Sequence, residues 1–322
     1  MKNYKPIIIV AGEPSSIFLE IFFKALKLKT YKSPLILVCS KKLLIKEMGR
    51  FNFKKKIKLI QPKDLDRIKL NNASINLINV EFDMTGLNKK SLVESNSYIK
   101  RCFDLAFKLI KNELTNKFIN GPISKKNFLN KKFLGMTEYI SKKFNIKKNA
   151  MLIYNEKLSV CPVTTHLPLK IVAKSINKKL IIEKVMLIHD FYKKKFDLVP
   201  KIAVLGLNPH CESISKFNED EKILKPVINS MKKSGYKLYG PHPADTIFLK
   251  SNRKKYNIIL GMYHDQVLTP LKTLYEYDAI NITLGLPFIR ISPDHGPNKK
   301  MIGKNISNPL SLIKSLKFLD KF

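Results

Sequence analysis

Short apolar runs alternate with amphipathic stretches along the whole chain. Residues 6–12 (PIIIVAG), 35–39 (LILVC), 75–80 (INLINV), 117–122 (KFINGP), 201–209 (KIAVLGLNP), 257–265 (NIILGMYHD) and 279–287 (AINITLGLP) are predicted as strands. Several are unbroken apolar runs, the pattern of strands covered on both faces. Helical periodicity fills the intervals. In 91–114, Ile99, Cys102, Phe103, Ala106, Leu109 and Ile110 recur at three- and four-residue spacing and make one apolar face. Residues 178–195 have the same character, and 307–322 close the chain as a last helix. One interval departs from the alternation. In 149–166 two strand-like runs flank Asn155-Glu156-Lys157, which predicts a hairpin. The rest predicts an α/β/α layered fold with a mostly parallel sheet.

Composition narrows the class. A chain of 322 residues with 44% hydrophobic and 10% aromatic content is globular, large enough for two lobes. No apolar run approaches the roughly 20 residues of a membrane span. The N-terminal apolar run ends in Gly12-Glu13-Pro14 without a small-residue cleavage pattern, so it is expected to be a buried first strand of a cytoplasmic protein with no membrane partner. Cys39, Cys102, Cys161 and Cys211 show no Cys-x-x-Cys spacing and are expected as reduced thiols. The net charge of +35 invites a nucleic-acid reading. Only Arg50, Arg67, Arg101, Arg253 and Arg290 are arginines, however, and the lysines are dispersed through every segment. That pattern is a solvated lysine surface, and no nucleic-acid partner is expected. The charge still attracts anionic substrates.

Polar residues gather at the predicted strand ends, where open α/β sheets bind ligands. The clusters are GEP (12–14), NGPISK (120–125), VTTHLPLK (163–170), GLNPHCE (206–212), GPHPADT (240–246), MYHDQVLTPLK (262–272) and GLPFIRISPDHG (285–296). Five of the six histidines lie in them, whereas His189 sits beside Asp190 in a helical run and is expected on a helix surface. A lone loop histidine is more often a structural hydrogen-bonder than a ligand. Several at the ends of one sheet favour a borderline metal, with His166, His210 and His264 as candidates. Lys272 and Arg290 suit an anionic group, although Arg290 paired with Asp294 is an equal alternative. Asn281 and Thr283 share one strand face, opposite Ile280, Ile282 and Leu284. Asp245 and Asp265 are each candidates for a base or for a histidine's carboxylate partner, with an N-cap as the alternative for Asp245. Lys125 is either catalytic or a surface lysine. No two glycines lie two apart and no Gly-Lys-Ser/Thr loop occurs, so the usual nucleotide fingerprints are absent. The residues alone indicate an α/β enzyme with an anionic substrate and a divalent metal.

Taken in order, TTHLPL, GLNPH, GPHPADTIF, YHDQVLTPLK and INITLGLPFIRISPDHG resemble the 4-hydroxythreonine-4-phosphate dehydrogenase family of pyridoxal phosphate biosynthesis. The resemblance runs from residue 12 to residue 313. It implies an isocitrate/isopropylmalate dehydrogenase-like subunit of two lobes with the active-site cleft between them. Residues 1–125 with 286–322 are expected on the cofactor side, and 126–285 on the metal, substrate and dimer side. It implies a homodimer with the active site at the subunit interface, using NAD or NADP and one divalent metal per site (Zn, Mg, Mn or Co). His166, His210 and His264 match the family's metal ligands, one of them supplied by the partner subunit. Met136, Thr137, Lys272, Asn281 and Arg290 fall on substrate-contact positions, and His295, Gly296, Lys300 and Asn308 on the cofactor segment. The implied reaction oxidises 4-phosphooxy-L-threonine at its 3-hydroxyl to 2-amino-3-oxo-4-phosphooxybutanoate, which decarboxylates to 3-amino-2-oxopropyl phosphate. Asp245 and Lys125 are the candidates for proton handling.

Three departures from the family pattern stand out. SSIFLE (15–20) replaces a glycine-rich continuation of GEP; Pro297 and Lys300 replace a small hydroxyl residue and an aspartate; Met136 stands where the family has histidine. A cation suits the 2′-phosphate of NADP, as a carboxylate suits the ribose of NAD. The alternatives are a dehydrogenase acting on threonate or erythronate 4-phosphate, and a degenerate, non-catalytic dimeric binding protein.

Overall fold

The computed structural model describes residues 4–65, 67–83, 91–124, 128–129, 133, 135–214, 217–293 and 295–322. The chain forms two compact units, one of Met1–Phe133 and Pro287–Phe322 and one of Leu134–Leu286.

In the first unit β1 (Ile7–Val10), β2 (Leu35–Cys39), β3 (Ile57–Leu59), β4 (Ile75–Asn79), β5 (Lys117–Asn120) and β12 (Ile289–Pro293) pair in the order β3-β4-β2-β1-β5-β12. Every pairing among them is parallel. Helices α1 (Phe18–Leu28), α2 (Lys41–Arg50), α3 (Ser91–Lys111) and α11 (Leu310–Asp320) belong to the same unit. The four residues of β1 are fully buried, as a central strand with both faces covered requires. Ile99, Cys102, Phe103, Ala106, Leu109 and Ile110 of α3 are all buried, so the predicted apolar face is the one that packs. Each such aliphatic or aromatic side chain contributes roughly 1.5–3 kcal/mol by leaving water. Ser40 starts α2 by accepting from the Leu43 amide at 3.4 Å.

The second unit carries β6 (Ala150–Tyr154), β7 (Ser159–Pro162), β8 (Ile202–Leu205), β9 (Leu238–His242), β10 (Ile258–Gly261) and β11 (Ile280–Leu284), in the order β11-β6-β7-β10-β8-β9. The expected hairpin is present, with β6 antiparallel to β7 through Ile153 and Val160. β6 is also antiparallel to β11, while β7, β10, β8 and β9 are mutually parallel. Helices α4 (Met136–Lys143), α5 (Leu169–Ser175), α6 (Lys178–Phe196), α7 (Lys225–Lys233), α8 (Ala244–Ile247), α9 (Lys250–Arg253) and α10 (His264–Tyr275) complete the unit. Asn177 caps α6 by accepting from Leu180 at 2.9 Å.

The layered, mostly parallel α/β fold agrees with the alternation of the sequence, and three strands go beyond it. β3 is short and half exposed, so no apolar run marks it. β9 holds Gly240 and Pro241, residues that suppress a strand pattern and are tolerated at a sheet edge. β12 contains Arg290, which falls in the polar cluster 285–296 after a predicted strand but stands inside a strand of its own, opposite Phe118. Among the described residues no helix is long and apolar enough to cross a membrane.

Candidate active site

Because β7, β10, β8 and β9 are adjacent and parallel, their carboxyl ends share one edge of the second unit's sheet. The segments leaving those ends carry His166, His264, His210 and Asp245 in that spatial order. His264 is the first residue of α10, and its ring lies 5.7 Å, centre to centre, from that of His166. Its Nδ1 is 2.6 Å from Oδ1 of Asp265. A carboxylate there keeps the proton on Nδ1 and leaves the Nε2 lone pair for a ligand.

Beside His166 the chain turns into α4 at Gly135. A Cβ on Gly135 would stand 2.9 Å from Oε2 of Glu138 and 3.0 Å from Cε1 of His166, so any side chain here would collide with both. Glu138 therefore brings a carboxylate into the surroundings of His166; its Oε1 accepts from the Thr165 hydroxyl at 3.5 Å, while its Oε2 is buried with no hydrogen-bond partner among the described residues. Met136 and Thr137 open α4 and are both buried, and the Thr137 hydroxyl is 3.4 Å from that of Thr283 on β11. An imidazole with a carboxylate behind it, a second imidazole beside it and the nearby Glu138 carboxylate are groups of the kind that bind a borderline divalent cation. Among the described residues, no group of three or more His, Cys, Asp or Glu side chains is disposed to hold a metal within one chain.

His210 is exposed on the loop after β8, in a left-handed conformation with φ 54°. Asp245 is exposed inside the first turn of α8; the cap position belongs to Pro243, so the N-cap alternative does not describe it. His242 hydrogen-bonds the Tyr256 hydroxyl at 3.1 Å, and burial, helped by Lys232 and Lys255, pulls its pKa down. Lys272 lies in the last turn of α10, eight residues from His264 and so about 12 Å along the axis. Asn281 is the second residue of β11, and its Oδ1 is buried without a hydrogen-bond partner among the described residues.

The first unit holds the other candidates. Arg290 is buried on β12 and donates from Nε to Oδ1 of Asn120 at 2.7 Å. Asp294, its alternative partner, and Lys125 lie outside the described residues. After β1, Gly12 (φ 84°) approaches the segment after β5 so closely that a Cβ would meet the Pro122 carbonyl at 2.5 Å. The buried carboxylate of Glu13 accepts from the Ser124 amide at 2.9 Å and pairs with Lys299 at 3.2 Å. The Ile17 amide donates to the Pro297 carbonyl at 3.2 Å, which docks the segment of His295, Gly296 and Lys300 onto the turn after β1. His295 Nδ1 is 3.3 Å from the Gly296 carbonyl. Asn308 accepts from the Leu310 amide at 2.9 Å just ahead of α11, whose cap position belongs to Pro309.

Sequence reasoning left three of these carboxylates unassigned. Glu13 is signalled by GEP at a strand end, and Glu138 by its place one turn into a helix that begins at a glycine. Asp220, buried beneath the His210 loop, is signalled by NEDE (218–221), a rare run of acids in a chain with 25 Asp and Glu against 60 Lys and Arg.

The chain is similar in sequence and in fold to known proteins. The chain is 37% identical over 313 residues to the 4-hydroxythreonine-4-phosphate dehydrogenase of Sulfurihydrogenibium sp., covering 96% of this chain and 95% of that one. It is 42% identical over 164 residues, half of each chain, to the D-threonate 4-phosphate dehydrogenase of Pectobacterium atrosepticum. The crystal structure of 4-hydroxythreonine-4-phosphate dehydrogenase from Klebsiella pneumoniae matches with a TM-score of 0.84 at 28% identity, over 98% of this chain and 97% of that one. The fold alone reaches further, to a beta-decarboxylating dehydrogenase of Thermococcus kodakarensis with a TM-score of 0.50 at 13% identity, over 98% of this chain and 82% of that one. With residues 31–319 matching its model, the chain belongs to the family of the pyridoxal phosphate biosynthetic protein PdxA.

Proposed function

We propose that the protein is an NAD(P)-dependent, divalent-metal-dependent dehydrogenase that oxidises 4-phosphooxy-L-threonine at its 3-hydroxyl. The product, 2-amino-3-oxo-4-phosphooxybutanoate, is a β-keto acid that loses its carboxylate as carbon dioxide to leave 3-amino-2-oxopropyl phosphate. The observation that carries this reading is the pair of imidazoles, His166 and His264, 5.7 Å apart at the ends of adjacent parallel strands, with Asp265 on His264. When bound, the nicotinamide accepts the hydride and a divalent cation (Zn, Mg, Mn or Co) polarises the oxygen being oxidised.

The chain's own residues supply binding and proton handling. His166, His210 and His264 hold the cation, one of them contributed by a second copy of the chain in a homodimer. The exposed His210, on its left-handed turn, suits that role. Lys272 and Arg290 bind the phosphate, so that binding energy far from the reacting carbon orients it. Thr137, Asn281 and the neighbouring Met136 contact the rest of the substrate. Asp245 and Lys125 move the proton released from the hydroxyl. His295, Gly296, Lys300 and Asn308 line the cofactor segment, and Lys300 favours the 2′-phosphate of NADP.

The D-threonate 4-phosphate dehydrogenase relative favours one second reading, a substrate in which a hydroxyl replaces the amino group. Assaying reduced nicotinamide formation with 4-phosphooxy-threonine and with threonate 4-phosphate separates the two. Turnover of the first, dependent on added divalent metal and abolished in His210→Ala, is expected. Turnover of the threonate alone would replace the reading, and turnover of neither would end it.

A further inference from the structure

The loop that presents His210 is built on a buried carboxylate some ten residues further along the chain. Asp220 is fully buried. Its Oδ1 accepts from the Leu207 amide at 2.8 Å, and its Oδ2 accepts from the Asn208 amide at 3.1 Å and from the Asn208 side-chain amide at 2.9 Å. Oδ1 also faces the Cα of Gly206, where a Cβ would stand only 2.8 Å away. One carboxylate thus satisfies three donors of the segment leading from β8 to His210.

The turn it supports is unusual. His210 and Cys211 have consecutive positive φ values, 54° and 63°, a region that side-chain-bearing residues rarely occupy. Such conformations persist where the surroundings over-determine them. The Asn208 carbonyl accepts from the Cys211 amide at 3.1 Å, so the residue gripped by Asp220 closes the turn that carries His210. From the other side, Gln266 donates to the Gly206 carbonyl at 2.8 Å and accepts from the Met262 amide at 2.7 Å. The start of the loop is therefore fixed at both its N–H and C=O groups. Among the described residues the carboxylate makes its hydrogen bonds to Leu207 and Asn208 and none to His210.

We infer that Asp220 is a positioning residue for metal binding: it holds the His210 imidazole where the cation is bound, acting through the backbone of residues 207–208. The inference depends on the proposed role of His210 as a metal ligand, and deepens it. An Asp-to-Asn change is isosteric but turns one oxygen into a donor, which then faces amide N–H groups in place of accepting from them.

The test is titration of the full-length, metal-free protein with cobalt(II), read by its visible absorption bands, in wild type, His210→Ala, Asp220→Asn and Asn208→Ala. Wild type is expected to bind cobalt and His210→Ala to bind it far more weakly. Asp220→Asn is expected to weaken binding by about tenfold and to alter the band pattern, the size of effect that supports behind metal ligands have. Its circular dichroism well below the melting temperature should be unchanged. If Asp220→Asn does not fold, Asn208→Ala carries the test. It removes one of the three donors, leaves both backbone bonds, and should weaken cobalt binding about threefold, a fraction of the full effect. Cobalt affinity and spectrum equal to wild type in a folded Asp220→Asn, or failing that in Asn208→Ala, would overturn the role of Asp220 while leaving His210 a ligand. Equal binding by His210→Ala and wild type would instead remove His210 from the site, and the inference with it.

Discussion

Asp265 and His264, neighbours in sequence, are joined side chain to side chain, with Oδ1 2.6 Å from Nδ1 at the start of α10. An ionised carboxylate only accepts, so the imidazole must donate from Nδ1, and its Nε2 carries the lone pair. Replacing a carboxylate behind a ligating histidine costs about 10- to 100-fold in metal affinity. Asp265→Ala is therefore expected to raise the zinc dissociation constant by about that factor, as measured by competition with a chromophoric chelator. Affinity unchanged from wild type would detach Asp265 from the metal.

Met136 gives a second prediction. It is buried at the first turn of α4, next to Thr137, in a place where the resemblance to the family implies a histidine. A thioether packs against a substrate but donates no hydrogen bond. Met136→His restores a donor, and one hydrogen bond is worth ~1 kcal/mol, or about fivefold in binding. The Michaelis constant for 4-phosphooxy-threonine should fall by about that factor with little change in kcat. An unaltered Michaelis constant would mean that residue 136 does not face the substrate.

Most of the scaffold was legible because its strands are continuous apolar runs and α3 and α6 keep a clean helical period. The elements that escaped are those whose residues answer to other constraints. β9 is an edge strand written with Gly240 and Pro241, and β12 is interrupted by an arginine that pairs with Asn120. The candidate histidines were visible by residue type at strand ends, and strand order explains why distant segments meet, since β7 and β10 are neighbours though about a hundred residues separate them. Of the carboxylates, Asp265 was named beside its histidine, whereas Glu13, Glu138 and Asp220 were left unassigned. These three act through geometry that no local spacing records, and GEP, a helix started at a glycine and NEDE mark them only as acidic positions.

Lys299 and Lys300 are adjacent but differently placed, and this separates their roles. Lys299 is committed to the buried Glu13 at 3.2 Å, whereas Lys300 is exposed at a position where the resemblance to the family implies an aspartate. Reversing the charge at Lys300 removes a partner for a 2′-phosphate, and a hydrogen bond to a charged group is worth ~1.5–3 kcal/mol when made well. Lys300→Asp should lower the ratio of kcat/KM for NADP over that for NAD by at least about tenfold. Lys299→Ala should leave this ratio within about twofold, because its ammonium is directed to protein. An NADP-to-NAD ratio that Lys300→Asp does not move would assign the cofactor choice elsewhere.

The four cysteines are all free and buried, and their acidities give the last prediction. Burial pushes the Cys102 and Cys161 thiols up to about 12, and Cys211, with Asp220 adding to the effect of burial, up to about 11; Cys39 is also raised well above its ordinary value. The thiolate is the reactive species, so at pH 8 roughly one Cys211 in a thousand is ionised, and fewer of the others. Native protein mixed with Ellman's reagent at pH 8 should release less than one equivalent of thionitrobenzoate in the first minutes, and four once denatured in guanidinium. The same protection is expected whether or not divalent metal is present, because none of the four thiols belongs to the proposed ligand set. Rapid stoichiometric labelling of one native thiol, with loss of activity, would contradict the pKa assignments and put a cysteine back among the candidates for catalysis.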